Sequence, residues 1–299
     1  MPLRPLLRLL TTHLVVALVA LVVIGGATRV MEAGLACPDW PLCYGVLLPG
    51  RQMNLQVFLE WFHRLDAFLV GLALLVLWAA SLWRRQQLPS WLPWISSLAL
   101  GLVVFQGALG ALTVTGLLSW STVTAHLATA LLLLVLMSAL DQTLATDAPP
   151  QPPPSWWFPL PWLSTALVFS QCVLGGAMAS QWAVDHCFTS GDQCEWLLRH
   201  RQLALPAGLT VVAMAGALLL SPRTDGRMRA LSLGAATLVV LQVALGILTL
   251  RSQLQLPSLT IAHQLVAALL MAHLGALMGR TLQAWLQKPA PSSLEVSCG

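Results

Sequence analysis

The chain has 299 residues, of which 57% are hydrophobic and only 9% are charged, with a formal net charge of +4. Soluble domains carry about 25% charged residues, so the composition excludes an ordinary soluble enzyme, a disordered protein and a nucleic-acid binder. The cations are scattered between apolar blocks and do not indicate a nucleic-acid surface. The chain is therefore predicted to be a multi-spanning membrane protein.

Eight apolar stretches follow along the chain, each close to the roughly 20 residues that cross a bilayer as a helix. The first follows Arg4 and Arg8 and continues into Gly25 without a clear cleavage site, so it is predicted to be a span and not a signal peptide. Tryptophans near the ends of several stretches are typical of the membrane interface. The predicted spans are 9–29, 61–83, 92–114, 121–140, 157–179, 199–220, 229–250 and 259–282.

The cations of the short loops predict the orientation of these spans. If the spans alternate, one side holds Arg4, Arg8, Arg84, Arg85, Arg223, Arg227, Arg229, Arg280 and Lys288. An excess of Lys and Arg marks the cytoplasmic side, so both termini are expected in the cytoplasm. There is no long Arg- and Ser-rich leader of the organelle type. The expected location is a bacterial cell membrane, which the chain crosses many times.

A proline-rich connection after Asp141 divides the chain into two halves of four spans. It is predicted to be a semi-rigid linker over 146–156. The N-terminal half is then 1–145, the C-terminal half 157–285, and a cytoplasmic tail covers 286–299.

The two halves repeat each other in sequence. Three motifs of the first half recur in the second: Gln106-x-x-Leu109-Gly110-x-Leu112-Thr113 as Gln242-x-x-Leu245-Gly246-x-Leu248-Thr249, His63-Arg64 as His200-Arg201, and Ala125-His126 as Ala262-His263. Because each half has an even number of spans, both halves enter the membrane from the same side. The predicted fold is an all-α integral membrane protein, with eight transmembrane helices arranged as two parallel pseudo-repeated four-helix bundles.

Four histidines lie in equivalent places near the start of the even-numbered spans, on the predicted outer side: His63, His126, His200 and His263. Each half therefore offers two imidazoles at similar depth on two helices. Axial ligation of heme iron requires one imidazole on each side of the porphyrin. A single histidine is also compatible with an interfacial, hydrogen-bonded residue, but four copies that follow one repeat favour heme ligation.

Charged residues beside these histidines have two interpretations each. Arg64 and Arg201 directly follow a ligand candidate, and each suits either a contact with a heme propionate or a snorkelling membrane anchor. Glu60 lies three residues before His63 and shares its helix face, whereas the second half has Leu197 at this position. The unmatched acid suggests that the first half does chemistry and the second holds a fixed cofactor. The alternative is a solvated carboxylate at a helix start.

Two close cysteine pairs lie in equivalent outer loops, Cys37 with Cys43 and Cys187 with Cys194. On an oxidising side of the membrane, each pair can close a local disulfide, which is the favoured interpretation. A redox-active or metal-binding pair is the alternative. Cys172 lies within a span and is expected to pack as a small apolar residue.

In these motifs the chain resembles the heme A synthases, membrane enzymes that make heme A for cytochrome c oxidase. The resemblance covers essentially the whole chain, including 25–29, Gln106 to Thr113 and all four histidines. Its most specific part is the loop Cys37-Pro38-Asp39-Trp40-Pro41-Leu42-Cys43, followed by Glu60-x-x-His63-Arg64.

The resemblance implies a role for each half. His200 and His263 are expected to bind heme B as cofactor, and His63 and His126 to bind the substrate heme O. The implied reaction oxidises the C8 methyl of heme O to a formyl group through successive hydroxylations, with Glu60 tied to catalysis. Expected partners are membrane lipid, a heme O synthase and assembly factors of cytochrome c oxidase, and not nucleic acid.

Two other functions compete with this one. The first is a non-enzymatic diheme b-type membrane electron carrier, which would have no use for an acid beside a single ligand. The second is a transporter or heme-handling scaffold, which would be expected to have charged or broken helices at mid-membrane. Pro206 is the only strong breaker in the sixth span, and one proline is common in packed bundles.

Overall fold

The computed structural model describes residues 3–145, 147, 154, 158–178 and 195–286. Within these residues the chain forms eight helices, all long and apolar enough to cross a membrane. They are α1 (Leu3–Val30), α2 (Leu55–Trp83), α3 (Leu92–Thr115), α4 (Trp120–Thr143), α5 (Pro159–Met178), α6 (Glu195–Leu220), α7 (Gly226–Arg251) and α8 (Pro257–Leu286). The predicted all-α, eight-span class is confirmed. Most of the predicted linker and the tail beyond Leu286 lie outside the described residues.

At two of the helix ends that extend beyond the predicted apolar runs, polar groups account for the extension. Helix α2 begins at Leu55, where the Asn54 side chain accepts a hydrogen bond from the Val57 backbone N–H at 2.9 Å. Asp141, expected in the connection, lies inside α4 and is buried. Its carboxylate accepts hydrogen bonds from two threonine hydroxyls of α1, Thr11 at 3.1 Å and Thr12 at 2.6 Å.

The helices pack in two closed groups of four. In the first group, α1 and α3 each pack against α2 and α4, and in the second, α5 and α7 each pack against α6 and α8. The groups meet mainly where α8 packs against α4 and α1, with α4 also against α5. These contacts support the interpretation of the chain as two four-helix bundles.

Glycines bring α4 and α8 into close contact. A Cβ atom added at Gly279 would lie 2.2 Å from the Ala139 carbonyl oxygen, and one added at Gly275 would lie 2.7 Å from the Val135 carbonyl oxygen. Both obstacles are backbone atoms, which cannot move aside as a flexible side chain can. Small residues four apart are what lets transmembrane helices approach this closely.

An ionic cluster connects the two groups at the opposite end of the bundle from the histidines. Arg280 of α8 is 1% exposed and forms salt bridges with Asp147, at 3.1 Å, and with Asp225. Asp147 also pairs with Arg227 of α7 at 3.0 Å and with Arg8 of α1 at 3.8 Å. Partial burial alone would raise the pKa of Asp147, but its backbone amide and the three arginines bring that pKa below its ordinary value. The Asp147 carboxylate thus connects α1 to α7 and α8.

Substitution of Gly279 by Ala is expected to destabilise the protein, because the new methyl group would overlap the backbone of α4. Overpacking of this kind costs about 1–3 kcal/mol. The matched control is Gly101→Ala, since a Cβ there meets nothing within 4 Å. Thermal unfolding in detergent should show a lower midpoint for Gly279→Ala only. Equal midpoints for both variants would contradict the close α4–α8 contact.

Candidate functional site

Each of the four candidate histidines packs against a glycine of the preceding helix. A Cβ atom added at the glycine would lie 2.9–3.5 Å from the Cε1 atom of the imidazole. The pairs are Gly25 with His63, Gly110 with His126, Gly175 with His200, and Gly246 with His263. A larger residue would push the ring away, so glycine sets how close each imidazole lies to the neighbouring helix. The recurrence of one contact on four helix pairs supports the interpretation as a repeat.

A glutamine stands one turn before the glycine in three of the four pairs. The Gln106 side-chain amide donates to the His126 carbonyl at 2.7 Å, and that of Gln171 donates to the His200 carbonyl at 2.9 Å. The ring Nε2 of His200 lies 3.3 Å from the Gln171 amide nitrogen, and that of His263 lies 3.2 Å from the amide nitrogen of Gln242. A side-chain amide thus binds the backbone carbonyls of His126 and His200 and contacts the rings of His200 and His263.

The fourth position, on α1, is Leu21. It lies four residues before Gly25, as the three glutamines lie four residues before Gly110, Gly175 and Gly246. Leu21 is thus equivalent in place to the three glutamines, and only its side chain differs.

The imidazole rings of the two first-half histidines lie close together. The ring centroids of His63 and His126 are 6.4 Å apart, and their planes are inclined by 68°. Two metal–nitrogen bonds of about 2 Å each, together with the distances from the nitrogens to the ring centres, fill this separation. One iron ion therefore fits between the two imidazoles.

The imidazole nitrogens also fit a heme iron. The Nδ1 atoms of all four candidate histidines are buried and have no partner at hydrogen-bond distance. A buried polar atom left in this state costs about 1–3 kcal/mol, and a ligand or ion bound at the ring offsets such a cost. The residues of both halves therefore fit the heme groups expected from the sequence.

Glu60 is buried, with 4% of its surface exposed, and both carboxylate oxygens are engaged. Oε1 pairs with Arg64 Nη2 at 2.6 Å, and Oε2 accepts a hydrogen bond from the Cys37 backbone N–H at 2.8 Å. The alternative of a solvated carboxylate at a helix start is therefore wrong. Glu60 fastens the loop between α1 and α2 to the helix that carries His63.

Arg64 fastens the same loop from a second point. Its Nη1 donates to the backbone carbonyls of Asp39, at 2.6 Å, and Leu42. The predicted Cys37–Cys43 disulfide closes this loop, and both cysteines are buried. We call the ion pair of Glu60 and Arg64, with its bonds to the loop, the loop clamp.

The sequence model of the COX15-CtaA family, described as cytochrome oxidase assembly protein, matches residues 8–274. The chain belongs to the COX15-CtaA family. It is 30% identical to the heme A synthase of Shewanella oneidensis, over 84% of this chain and 89% of that protein. It is 31% identical to the heme A synthase of Sphingopyxis alaskensis, over 89% of each chain. The heme A synthase of Caulobacter vibrioides is 30% identical, over 85% of this chain and 89% of that protein.

The second cysteine pair and the two arginines predicted to contact heme propionates remain untested in this COX15-CtaA protein. The pair Cys187 and Cys194 lies outside the described residues. Arg201 is exposed on α6, whereas Arg64 is largely committed to the loop clamp. A propionate contact therefore stays a prediction for both arginines, and the geometry leaves more room for it at Arg201.

Gln171 is a site residue that sequence reasoning missed. The repeat is recognisable in the sequence through the longer motif shared by α3 and α7, which α5 does not carry in full. The signal that identifies Gln171 is the spacing Gln171-x-x-x-Gly175, which matches Gln106-x-x-x-Gly110. The Gln-x-x-x-Gly spacing is short and common, so its significance becomes clear only from the four histidine–glycine contacts in the structure.

Replacement of Arg64 by Lys is expected to loosen the disulfide loop. A lysine ammonium is a point charge and cannot bridge Glu60 and two backbone carbonyls as the planar guanidinium does. The rate at which a water-soluble phosphine reduces the Cys37–Cys43 bond should rise severalfold. The control is Arg201→Lys, the same change at the equivalent place in the second half, which should leave that rate unchanged. A wild-type rate in Arg64→Lys would show that the arginine does not hold the loop.

Proposed function

We propose that this COX15-CtaA protein is a heme A synthase, which oxidises the C8 methyl of heme O to a formyl group. The reaction makes it an oxidoreductase that acts on a methyl group. The observation that carries the proposal is the asymmetry between the halves. Both have the paired histidines, but the acid of the loop clamp is Glu60 in the first half and Leu197 at the equivalent position in the second.

The first half binds the substrate heme, and the second half binds the cofactor heme. His63 and His126 hold heme O in the first half, and His200 and His263 hold heme B in the second. When bound, the hemes supply the oxidation and electron-transfer chemistry. The protein supplies the imidazoles, and the four glycines fix how far each imidazole extends from its neighbouring helix. Helices α2 and α4 thereby position the substrate.

Within the loop clamp, the Glu60 carboxylate is held next to the substrate site and is paired with Arg64. Because both oxygens of Glu60 accept hydrogen bonds in a buried setting, the carboxylate is held in one orientation. To take a proton from water, Glu60 would first have to give up one of these bonds. To stabilise positive charge that develops on the substrate, it needs no rearrangement. The geometry favours the electrostatic role, for which such preorganised groups are effective.

The surroundings of the site suit a substrate that arrives through lipid. Heme O carries a long apolar tail, and the eight helices present apolar faces to the membrane. We place both termini and the Asp147 cluster in the cytoplasm and the four histidines near the outer face of a bacterial cell membrane. A heme O synthase and assembly factors of cytochrome c oxidase are the partners that this reaction requires before and after it.

Loss of a second-half ligand is expected to remove the cofactor heme. His200→Ala or His263→Ala each takes away one axial imidazole, so the purified variant should lose the low-spin heme B signal. His273→Ala serves as the control. His273 lies on the same helix as His263 and also packs against a glycine of the preceding helix, Gly234, but it does not belong to the four repeated pairs. An unchanged low-spin spectrum and heme content in both ligand variants would refute the assignment.

Glu60→Gln is expected to keep heme B and to bind heme O but to make little heme A. Gln can still accept from the Cys37 N–H, yet it removes the charge that pairs with Arg64. Loss of one electrostatic or proton-accepting group typically costs about 10²–10⁴-fold in rate. Co-expression with a heme O synthase, followed by mass spectrometry of the extracted hemes, gives heme A per mole of retained heme B.

The matched control for this experiment is Glu195→Gln. Glu195 also pairs with an arginine four residues later, Arg199, but both side chains are exposed. A heme A yield near wild type in Glu60→Gln would contradict a catalytic role for the loop clamp. A protein that contains only heme B, even when heme O is supplied, would instead favour the diheme electron carrier.

A further inference from the structure

We infer that Gln264 of the second half positions His63 of the first half, because it holds the turn of α1 against which His63 packs. The substrate site is then completed from the half that binds the cofactor. This inference rests on the proposed function, since it gives a residue of the second half a task in binding the substrate heme. Gln264 acts through α1 and His63 and is a positioning residue.

The turn of α1 from Val22 to Gly26 is contacted by two other helices. From α2, the ring of His63 lies against Gly25, where an added Cβ atom would be 2.9 Å from Cε1. From α8, the side-chain amide of Gln264 fills the space that a Cβ atom at Gly26 would need. Its Nε2 also donates a hydrogen bond to the Val22 carbonyl at 3.1 Å. Because the two glycines are neighbours in the chain, the contact from α8 sets the place of the surface that His63 uses.

The same crossed arrangement occurs in the opposite direction. Leu127 of α4 stands 137 residues before Gln264 and is its equivalent in the repeat. A Cβ atom added at Gly176 of α5 would lie 2.7 Å from a methyl carbon of Leu127, and the preceding Gly175 is the contact of His200. In each half, the residue after one ligand candidate thus packs beside the glycine that positions a ligand candidate of the other half. The recurrence indicates that the contact belongs to the repeat.

The two crossed contacts differ in their chemistry. Leu127 provides only apolar packing, which has no preferred direction. Gln264 adds a hydrogen bond, which is directional. Leucine serves in the equivalent place, so packing alone does not require an amide there, and an amide between membrane helices is unfavourable without a partner. The directional contact is the one that supports the first half, where the substrate heme is proposed to bind.

The geometry of the first-half ligands depends on this support. Helix α1 carries neither histidine of the pair, and it packs against α2, α4 and α8. The rings of His63 and His126 are inclined by 68° to each other. If the amide of Gln264 is removed, the turn at Gly25 loses its hydrogen-bonded contact with α8, and the ring of His63 is free to tilt with it. The angle between the two imidazole planes then changes.

The size of the effect follows from hydrogen bonds measured between membrane helices. Their average and largest values correspond to factors of about 3 and about 20 in an equilibrium constant. Gln264→Met keeps a side chain of similar length but removes the amide. It is therefore expected to weaken the binding of hemin to the first half about 3–20-fold.

The experiment titrates the purified protein with hemin and records absorbance and electron paramagnetic resonance spectra. The resonance spectrum of a ferric heme with two imidazoles responds to the angle between their planes. His126→Ala removes a first-half ligand and thereby identifies the signal of that half. Gln264→Met should shift the first-half signal and lower its hemin affinity, while the second-half signal stays as in wild type.

The matched control is Gln283→Met on the same helix. Gln283 also donates from its amide to a backbone carbonyl outside its own helix, that of Ala145 at 3.0 Å, but at the end of the bundle opposite the histidines. This variant loses a bond of the same kind and should leave both heme signals unchanged. An equal shift of the first-half signal in Gln283→Met would overturn the inference, because the effect would then be one of general stability.

Gly26→Ala tests the same contact from the side of α1. The added methyl group overlaps the end of a flexible side chain, which moves aside. The amide of Gln264 then leaves the Val22 carbonyl, so this variant should shift the first-half signal as Gln264→Met does. The two changes combined should add little to either one alone. Should Gln264→Met fail to fold, an unchanged first-half signal in Gly26→Ala would contradict the inference.

The outcomes separate this inference from the proposed function. An unchanged first-half signal and hemin affinity in Gln264→Met would refute the positioning role and leave the proposed function standing. A wild-type protein in which no heme signal depends on His126 would refute the substrate site of the proposed function, and the inference with it.

Discussion

The contact between an imidazole and a glycine backbone is the interaction on which the rest of the site depends. At each of the four places the glycine lets the ring lie against the neighbouring helix, and the ring then extends from there into the bundle. In the first half this brings two imidazoles to 6.4 Å, a separation that one iron ion can bridge. A bulkier residue at any of the four glycines would displace a histidine, so helix packing and the heme binding that we propose depend on the same contact.

The remaining structure keeps these contacts in register. At the end of the bundle that holds the histidines, the loop clamp ties the Cys37–Cys43 loop to α2, with Glu60 and Arg64 on successive turns around His63. At the other side Arg280 and Asp147 join the last helix to the first. Between these layers, glycines allow α8 to pack directly on α4. The α4–α8 packing and the Asp147 cluster thus connect the two bundles at two depths, which fixes the relative positions of their histidine pairs.

Much of this arrangement could be predicted from the sequence. The eight spans follow from apolar length, the four histidines from their repeat spacing, and the Cys37–Cys43 bond from proximity in one outer loop. These are local or periodic signals, which a single sequence carries.

The parts that were not predicted depend on contacts between distant segments. Glu60 could not be recognised as buried, because its partner is the backbone N–H of Cys37 in the preceding loop. The charge of Asp141 favours the connection over a span, and the threonines that satisfy it inside α4 lie at the start of the chain. The importance of Gln171 becomes visible only once His200 is seen against Gly175.

The most direct test of the account is an experimental structure of the protein co-expressed with a heme O synthase. The account predicts a farnesylated heme with its iron between His63 and His126, a heme B between His200 and His263, and Glu60 still paired with Arg64 beside the first heme. A farnesylated heme bound by His200 and His263, or a first half that binds heme B, would contradict the division into a substrate half and a cofactor half.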